Sequence, residues 1–283
     1  MFRGKGKAGG GSSKSRSASQ KVTVTRTRKM ETPQEYIVKL RAALFEKDGT
    51  TDKNVFKSLA AFCSFKKNGL DLQFVFMSGK EFKKTRKLTD FAFKTSKKNL
   101  QDLYDDTEYG WDDIERKEEM CDECVRFLFV YASDDEEKEK PLGFLQFHIT
   151  MQGALTGRMS GYPCVLVNDL HLLPCIQRKG VATALLKLMS VVTVREKMSF
   201  MMIKVINGAD EMMNLINTKL KGFNIDDSAY ERLGKFEEYE IHQESFTVFS
   251  RCVDKNILHV RAEKENVQSL AQELARKLSA KSN

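Results

Sequence analysis

The segment from residue 164 to residue 206 constrains the fold more than any other part of the sequence. Residues 164–173 are apolar and strand-like, residues 178–197 have an amphipathic helix pattern, and residues 200–206 form a second apolar run. A helix between two strands is typical of a crossover connection in a sheet. Further strands are predicted at residues 69–79, 125–133, 142–150 and 239–251, and further helices at 31–49, 95–108, 111–120, 209–222 and 262–281. The pattern predicts an α/β or α+β domain with a mixed central sheet flanked by helices.

The charge of the chain is distributed unevenly. Residues 1–29 hold nine of the 47 Lys and Arg and none of the 39 Asp and Glu, so the rest of the chain is close to neutral. Those first residues contain too little apolar surface to offset the entropy cost of ordering them. We therefore predict a disordered basic tail at residues 1–29, a folded domain at 30–251 and a helical extension at 252–283. Such a tail is typical of nuclear import or of attraction to nucleic acid.

Several function classes are not expected from the sequence. No run of eighteen apolar residues is present, so we expect no transmembrane helix and no membrane partner. No apolar segment opens the chain, so no secretory signal is expected and the six cysteines are expected to be free thiols. Cys121 and Cys124 have the spacing of half a zinc site, but the four scattered histidines do not complete it. No metal is therefore expected.

A polar and basic hexad joins the strand at 164–173 to the helix that follows. It consists of Gln177, Arg178, Lys179, Gly180, Val181 and Ala182. The start of a helix offers free N–H groups and the positive end of the helix dipole, so it binds anions. Gly180 would let the backbone approach a ligand closely, and the two cations add charge. The hexad fits a pyrophosphate, and the alternative is an ordinary turn with a solvated basic rim.

The hexad resembles the Gln/Arg-x-x-Gly-x-Gly/Ala signature of the GNAT acetyltransferases. This resemblance implies a GNAT fold, acetyl-coenzyme A as the co-substrate, and a pyrophosphate held by the hexad and Thr183. It also implies that the backbone of Leu170, His171 and Leu172 lies against the pantetheine and the acetyl group. Asn207 is similar to a family Asn near coenzyme A, although the alignment there needs a gap.

A second stretch narrows the resemblance. Residues 91–120, with the block Glu108-Tyr109-Gly110-Trp111, resemble the NatD-type N-alpha-acetyltransferases, and residues 65–74 and 223–228 are similar as well. Those enzymes acetylate the N-terminal amine of histones four and two-A. The resemblance implies that the partners are N-terminal tails of histones or other basic proteins, and that the protein resides in the nucleus and cytoplasm. Because the substrates of those enzymes are histones, the resemblance also implies that the basic tail could contact chromatin.

The resemblance also implies a catalytic residue. NatD-type enzymes carry an essential Glu eleven residues before the motif glycine, and Asp169 stands at that position. A carboxylate there would remove a proton, directly or through water, from an α-amine whose pKa is about 7.7–8.0. The alternative is an Asp at a strand edge, satisfied by the backbone or by cations. Substrate contacts are implied for Tyr104, Tyr109, His148, Asn168, Lys204, Ser228 and Tyr239.

Three of these positions depart from the family pattern. Asn168 replaces an aromatic residue, His148 an Asp and Lys204 a Thr, which leaves the peptide preference open. Three alternatives follow: acetylation of another N-terminus, acetylation of a lysine side chain, or an inactive chromatin-binding module. The tail at residues 1–29 is also rich in Gly, Ser, Lys and Arg like a histone tail, so it could act as a pseudosubstrate.

Overall fold

The computed structural model describes residues 31–152, 161–226 and 245–258. An eight-stranded sheet with the order β1-β2-β3-β4-β5-β6-β8-β7 forms its centre. All neighbouring strands are antiparallel except β5 and β6, which are parallel and are joined by a helical crossover. The strands are β1 (Ser64–Lys67), β2 (Leu70–Ser78), β3 (Arg126–Ala132), β4 (Gly143–Met151), β5 (Pro163–Leu172), β6 (Phe200–Ile206), β7 (Asn224–Ile225) and β8 (Phe246–Cys252).

Six α-helices surround this sheet in the described part of the chain. They are α1 (Pro33–Leu44), α2 (Gly79–Lys84), α3 (Arg86–Asp105), α4 (Asp113–Met120), α5 (Val181–Arg195) and α6 (Asp210–Lys219). Side chains cap the first turns of α1, α2 and α4 through Thr32, Ser78 and Asp112 respectively. Helix α5 begins instead at Gly180, which has no side chain to cap the helix. Its first N–H groups therefore remain available to another acceptor.

The alternation of side chains along the strands divides the core between the two faces of the sheet. On β3, Leu128 and Val130 face a core that includes α1 and α5. Phe127, Phe129 and Tyr131, which alternate with them, face a second core that includes α2, α3 and α4. Successive strand residues point to opposite faces, so a strand buried on both faces is apolar throughout. The domain thus has three layers, with α3 and α4 on the opposite face from α5.

The predicted fold class, a mixed sheet flanked by helices, is confirmed. The helix predicted at 95–108 begins earlier, at Arg86, and Cys252, where the C-terminal extension is predicted to begin, belongs to β8. The basic tail and most of the predicted C-terminal helix lie outside the described residues, so these domain limits stay predictions. None of the described helices is both long enough and apolar enough to cross a membrane. All six cysteines are free thiols.

Candidate active site

The sheet opens between its two parallel strands. β5 and β6 pair only from Cys164 and Phe200 to Val167 and Ile203. Beyond that point β5 continues along β4 to Leu172, while β6 continues along β8. The register between β4 and β5 shifts at this position, because Gln146 pairs with Asp169 and Phe147 with Val167. A bulge of this kind bends a strand away from its neighbour and exposes backbone groups. We call the opening between residues 168–172 and 204–206 the fork.

A cavity of about 290 Å³ lies in the fork, and we call it the fork cavity. Helices α3 and α4 roof it with Tyr104 and Arg116, and β4, β5, β6 and β8 supply the remaining walls. Acidic side chains, Glu119 and Asp122, stand among its lining residues. The full lining comprises Leu100, Tyr104, Arg116, Glu119, Asp122, Gln146, His148, Asn168, Asp169, Leu170, His171, Lys204, Val205, Ile206, Ala209, Met212 and Phe246.

A second and larger cavity, of about 570 Å³, lies at the start of α5, and we call it the helix-end cavity. Leu170 and Met212 line both cavities, so the two are adjacent at the fork. The helix-end cavity is lined by Leu170, Leu172, Gln177, Arg178, Gly180, Val181, Ala182, Thr183, Asp210, Glu211, Met212, Asn214, Leu215, Thr218 and Lys219. An elongated ligand could therefore extend from the start of α5 to the fork.

Backbone conformation explains the glycine at the start of α5. Gly180 has φ of 91°, in the left-handed region that side chains disfavour, and Arg178 before it has φ of 60°. An added Cβ at Gly180 would meet its nearest atoms only at 3.9 Å, so crowding is not the reason. Gln177 fixes the turn by donating from Nε2 to the carbonyl of Leu172 at 2.7 Å. The hexad is therefore a rigid turn that aims an uncapped helix start at the helix-end cavity.

The charges around this turn are weakly engaged. Arg178 Nη2 lies 2.5 Å from Glu211 Oε1, and both side chains are about four-fifths exposed. An ion pair this exposed contributes little, so an anion could compete for the guanidinium. Lys179 is held by its backbone, because its carbonyl accepts a hydrogen bond from Asn68 Nδ2 at 2.9 Å, and its side chain does not line the helix-end cavity.

Asp169 lies in the fork cavity as one partner of a buried ion pair. The guanidinium of Arg116, on α4, donates from Nη2 to Asp169 Oδ2 and also bonds to Ser96 Oγ and Glu119 Oε2. Burial alone would raise the pKa of the Asp169 carboxyl, but Arg116 outweighs burial and holds that pKa well below its usual range. The same pairing raises the pKa of Arg116 against its burial. The pairing with Arg116 therefore favours the ionised form of Asp169.

A histidine stands beside this pair. His171 is 5% exposed, and its Nδ1 lies 3.1 Å from Asn99 Nδ2, on α3. With the Asn99 amide donating, the ring proton is placed on Nε2, which faces Asp169 Oδ1 at 3.7 Å. His171 Nε2 has no hydrogen-bond partner among the described residues. It can donate to a group that enters the cavity.

Two further basic groups line the fork cavity. Burial lowers the pKa of His148, so its imidazole is neutral near pH 7. Burial likewise lowers the pKa of the Lys204 ammonium from its usual value, against the opposing effect of Glu119. Lys204 Nζ lies 4.0 Å from the centroid of the Phe246 ring. The Lys204 ammonium therefore loses its proton more readily than that of an exposed lysine.

Most of the predicted site residues line one of the two cavities. The fork cavity contains Tyr104, His148, Asn168, Asp169, Leu170, His171 and Lys204, and the helix-end cavity contains Leu170, Leu172, Gln177, Arg178, Gly180, Val181, Ala182 and Thr183. His171, predicted beside the cofactor, thus lies with the predicted substrate residues. Ser228 and Tyr239 lie outside the described residues.

Three predicted residues line neither cavity. They are Lys179, Tyr109 and Asn207. Tyr109 packs edge-on against Tyr104 at 6.0 Å between ring centroids, and its hydroxyl donates to Glu115. It therefore supports a cavity residue. The amide oxygen of Asn207 accepts a hydrogen bond from Thr247 at 2.7 Å, which ties the end of β6 to β8.

The sequence analysis did not identify Arg116 and Gln146, which line the fork cavity, or Asn99, which contacts His171. Arg116 precedes Met120 by four residues, so it occupies the apolar face of α4, where a cation needs a buried carboxylate. Gln146 similarly interrupts an apolar strand. A polar residue at a core position was the signal that could have identified both. Asn99 carried no such signal, because it lies in a polar stretch of α3.

Comparison with known proteins gives a family for the part of the chain around the cavities. Residues 97–216 match the model of the acetyltransferase (GNAT) family. Similar solved structures include GCN5 of Tetrahymena, at 10% identity over 64% of this chain and 96% of that one, with a TM-score of 0.44. A GNAT acetyltransferase of Listeria monocytogenes shares 10% identity over 67% and 99% of the two chains, with a TM-score of 0.43. The PaiA N-acetyltransferase of Thermoplasma acidophilum, in complex with coenzyme A, shares 14% identity over 64% and 98%, with a TM-score of 0.40.

At these identities and TM-scores the solved structures say nothing about the substrate of this chain. The family match does include the functional region, because residues 97–216 run from within α3 to within α6 and contain the hexad, Asp169 and Lys204. The mixed sheet and the crossover through α5 agree with the GNAT fold expected from the sequence. The region around the two cavities therefore matches the acetyltransferase (GNAT) family.

Proposed function

We propose that this protein transfers the acetyl group of acetyl-coenzyme A to the N-terminal amine of basic proteins, in particular histones four and two-A. One observation carries the acyl-transfer proposal: the helix-end cavity and the fork cavity are adjacent and share Leu170 and Met212 in their walls. A cofactor in the first cavity and an amine in the second would come together at that junction. The choice of an N-terminal acceptor rests on the NatD-like stretch at residues 91–120, which supplies the roof of the fork cavity.

The described residues fit acetyl-coenzyme A. The uncapped N–H groups at Val181, Ala182 and Thr183 suit the oxygens of a pyrophosphate, and Arg178 adds a cation beside them. The backbone of β5 beyond Val167 has lost its pairing with β6, so it can pair with the amide groups of the pantetheine arm. The co-substrate supplies an activated acetyl thioester, and its polarised carbonyl would be held by backbone N–H groups at the fork.

The fork cavity suits an acceptor that carries hydrogen-bond donors. Gln146 Oε1 and Asn168 Oδ1 are buried and have no hydrogen-bond partner in the part of the chain that the structure describes. Both residues line the cavity beside the carboxylate of Asp169. Glu119 and Asp122 add negative charge to the lining. Acceptor oxygens and carboxylates of this kind favour an ammonium group and basic residues next to it.

The acceptor must lose a proton before it attacks. We propose Asp169 as the base, acting through water, because it is the carboxylate at the fork. Its pairing with Arg116 makes it a weak base, so a second group is needed to carry the proton away. The neutral imidazole of His148 lies in the same cavity and can fill that role.

The experiment that tests the proposal uses matched acceptor peptides. The full chain is incubated with acetyl-coenzyme A and a peptide that begins with Ser-Gly-Arg-Gly, and the modified nitrogen is located by mass spectrometry. We expect acetylation of the α-amine alone. The control peptide has the same sequence with a blocked N-terminus and retains its lysines, and it should stay unmodified.

Other results would select one of the alternatives. Modification of the blocked peptide would identify a lysine acetyltransferase, and modification of unrelated N-termini at equal rates would remove the histone preference. If no peptide is acetylated and deletion of residues 1–29 abolishes chromatin association, the chain is a binding module. Residence in both nucleus and cytoplasm is part of the same proposal, and microscopy of the tagged full chain tests it.

A further inference from the structure

The fork cavity already contains an amine of the chain itself. Lys204 is the first residue of β6 beyond the last parallel pair, Val167 and Ile203. Its side chain lines the cavity together with Asp169 and Leu170, which lie on the opposite arm of the fork. The amine of Lys204 therefore lies where the proposed reaction would need an acceptor amine.

The surroundings of Lys204 leave its amine unengaged. Nζ rests over the Phe246 ring, 4.0 Å from its centroid, and no carboxylate of the described residues lies within 4.0 Å of Nζ. By contrast Lys97, which also lies near α4, is bound to both oxygens of Asp113 at 2.8 and 2.9 Å. An ammonium held by a carboxylate is a poor nucleophile, whereas a desolvated amine that loses its proton easily is a good one. Burial lowers the pKa of Lys204 and increases the neutral fraction.

We propose that Lys204 is itself an acetylation site, modified by the active site of the same chain. The proposal rests on the proposed acetyl transfer, with acetyl-coenzyme A as the donor. The lone pair of Lys204 Nζ forms a bond to the acetyl carbonyl carbon, and the carbon–sulfur bond of the thioester breaks. The sulfur departs with that electron pair and receives one proton from Nζ through water, so coenzyme A leaves as the free thiol. The product is a neutral secondary amide.

The modification would change what the cavity attracts. Arg116 and, in its protonated form, Lys204 are the positively charged side chains of the lining, and they oppose Glu119, Asp122 and Asp169. Acetylation removes one of the two positive charges and leaves the three carboxylates in place. An incoming ammonium therefore meets less repulsion in the acetylated protein.

The test compares Lys204 with an exposed lysine in one sample. The full chain is incubated with isotopically labelled acetyl-coenzyme A alone, and acetyl occupancy at each lysine is followed over time by peptide mapping. Lys57, which is exposed and has no carboxylate within 4.0 Å among the described residues, reports unassisted reaction with solvent-borne thioester. Lys66, which is 82% exposed but paired with Asp71, is followed beside it. Such reaction favours exposed amines, whereas delivery by the active site favours Lys204 by proximity, so we expect Lys204 to be modified at least about tenfold faster.

Two variants serve as controls. Gly180→Glu places bulk and negative charge at the start of α5, and it should abolish labelling of Lys204 while labelling of Lys57 continues. Lys204→Arg should lose the corresponding label and no other. When the chain without substitutions is unfolded in denaturant, Lys204 and Lys57 should be labelled at similar rates. This result would show that the peptides of both lysines are detected.

The acceptor peptide is assayed in parallel, so the two proposals can fail separately. If the peptide is acetylated and Lys204 is labelled no faster than Lys57, the self-acetylation proposal is overturned and the proposed function stands. If neither the peptide nor Lys204 is labelled, both proposals are overturned. If Lys204 is labelled at the same rapid rate in the chain without substitutions and in Gly180→Glu, the active site does not deliver the acetyl group. The self-acetylation proposal is then again overturned.

Discussion

Replacement of Arg116 by Met should destabilise the protein strongly and should make its stability depend on pH in a new way. The change removes one partner of a buried pair and leaves Asp169, which is 7% exposed, without its cation. Removing one partner of such a pair costs about 3–5 kcal/mol, because an uncompensated charge stays buried. Met keeps much of the volume, so the loss reflects charge more than packing.

The sign of the pH dependence follows from the pKa of Asp169. In the native chain Arg116 holds this pKa below its usual range, so the pairing stabilises the fold above about pH 3.9 and is lost as pH falls through the lowered value. In the variant, burial dominates and raises the pKa of Asp169. The variant is then least stable at neutral pH, and its deficit relative to the native chain should shrink between pH 7.5 and about pH 5.

Urea unfolding followed by circular dichroism measures both effects. The matched control is Lys97→Met, which breaks the more exposed α3–α4 pair with Asp113 and should cost less than about 1 kcal/mol. The double variant Arg116→Met with Asp169→Asn should recover part of the lost stability, because the buried carboxylate is removed and only the partly exposed Glu119 loses its partner. A deficit for Arg116→Met no larger than for Lys97→Met, or one that is equal at both pH values, would refute the reasoning.

Three further predictions concern the site. Gly180→Glu should reduce the affinity for acetyl-coenzyme A, measured by calorimetry, by about a hundredfold or more. The φ of 91° strains any side chain, and the new carboxylate repels phosphate. Unchanged affinity in a folded variant would mean that the cofactor site is misplaced. Asp169→Asn should lower turnover about 10²-fold and leave cofactor affinity largely intact, and near-normal turnover across the pH range of activity would remove Asp169 from the mechanism. Deleting residues 1–29 should lower KM for a histone peptide at constant kcat if the tail is a pseudosubstrate, whereas an identical KM at two salt concentrations would leave import or chromatin contact as its role.

Local signals in the sequence predicted the class of fold but missed its shortest elements. The strand and helix patterns identified the crossover through α5 because its three parts are long and strongly apolar. The hairpin of β1 and β2 escaped notice, although its turn is Asn68-Gly69 with φ of 55° and 73°, the combination that tight hairpins favour. Helix α2 was missed as well, although Ser78 and Glu81 form a capping box.

The candidate site shows a different limit of sequence reasoning. The hexad could be recognised because its residues are consecutive and their chemistry depends on one local turn. The fork could not be recognised from the sequence, because the bulge at Asn168 exists only in the register that β5 adopts against its partner strand β4. The Arg116–Asp169 pair joins residues 53 positions apart and arises only when α4 packs over β5. Contacts of this kind depend on tertiary packing, to which local patterns are blind.

The fork also has a thermodynamic consequence for the whole protein. It divides the sheet into two half-sheets, β1 to β5 and β6 to β8. Within the described ranges, their only direct strand pairing is the four residue pairs from Cys164–Phe200 to Val167–Ile203. A ligand lying in the fork would bridge the two half-sheets, so its binding energy would add to the resistance of the fold against unfolding. At a ligand concentration one hundred times Kd that gain is about 2.7 kcal/mol. The lifetime of this protein in a cell would then follow the local supply of coenzyme A.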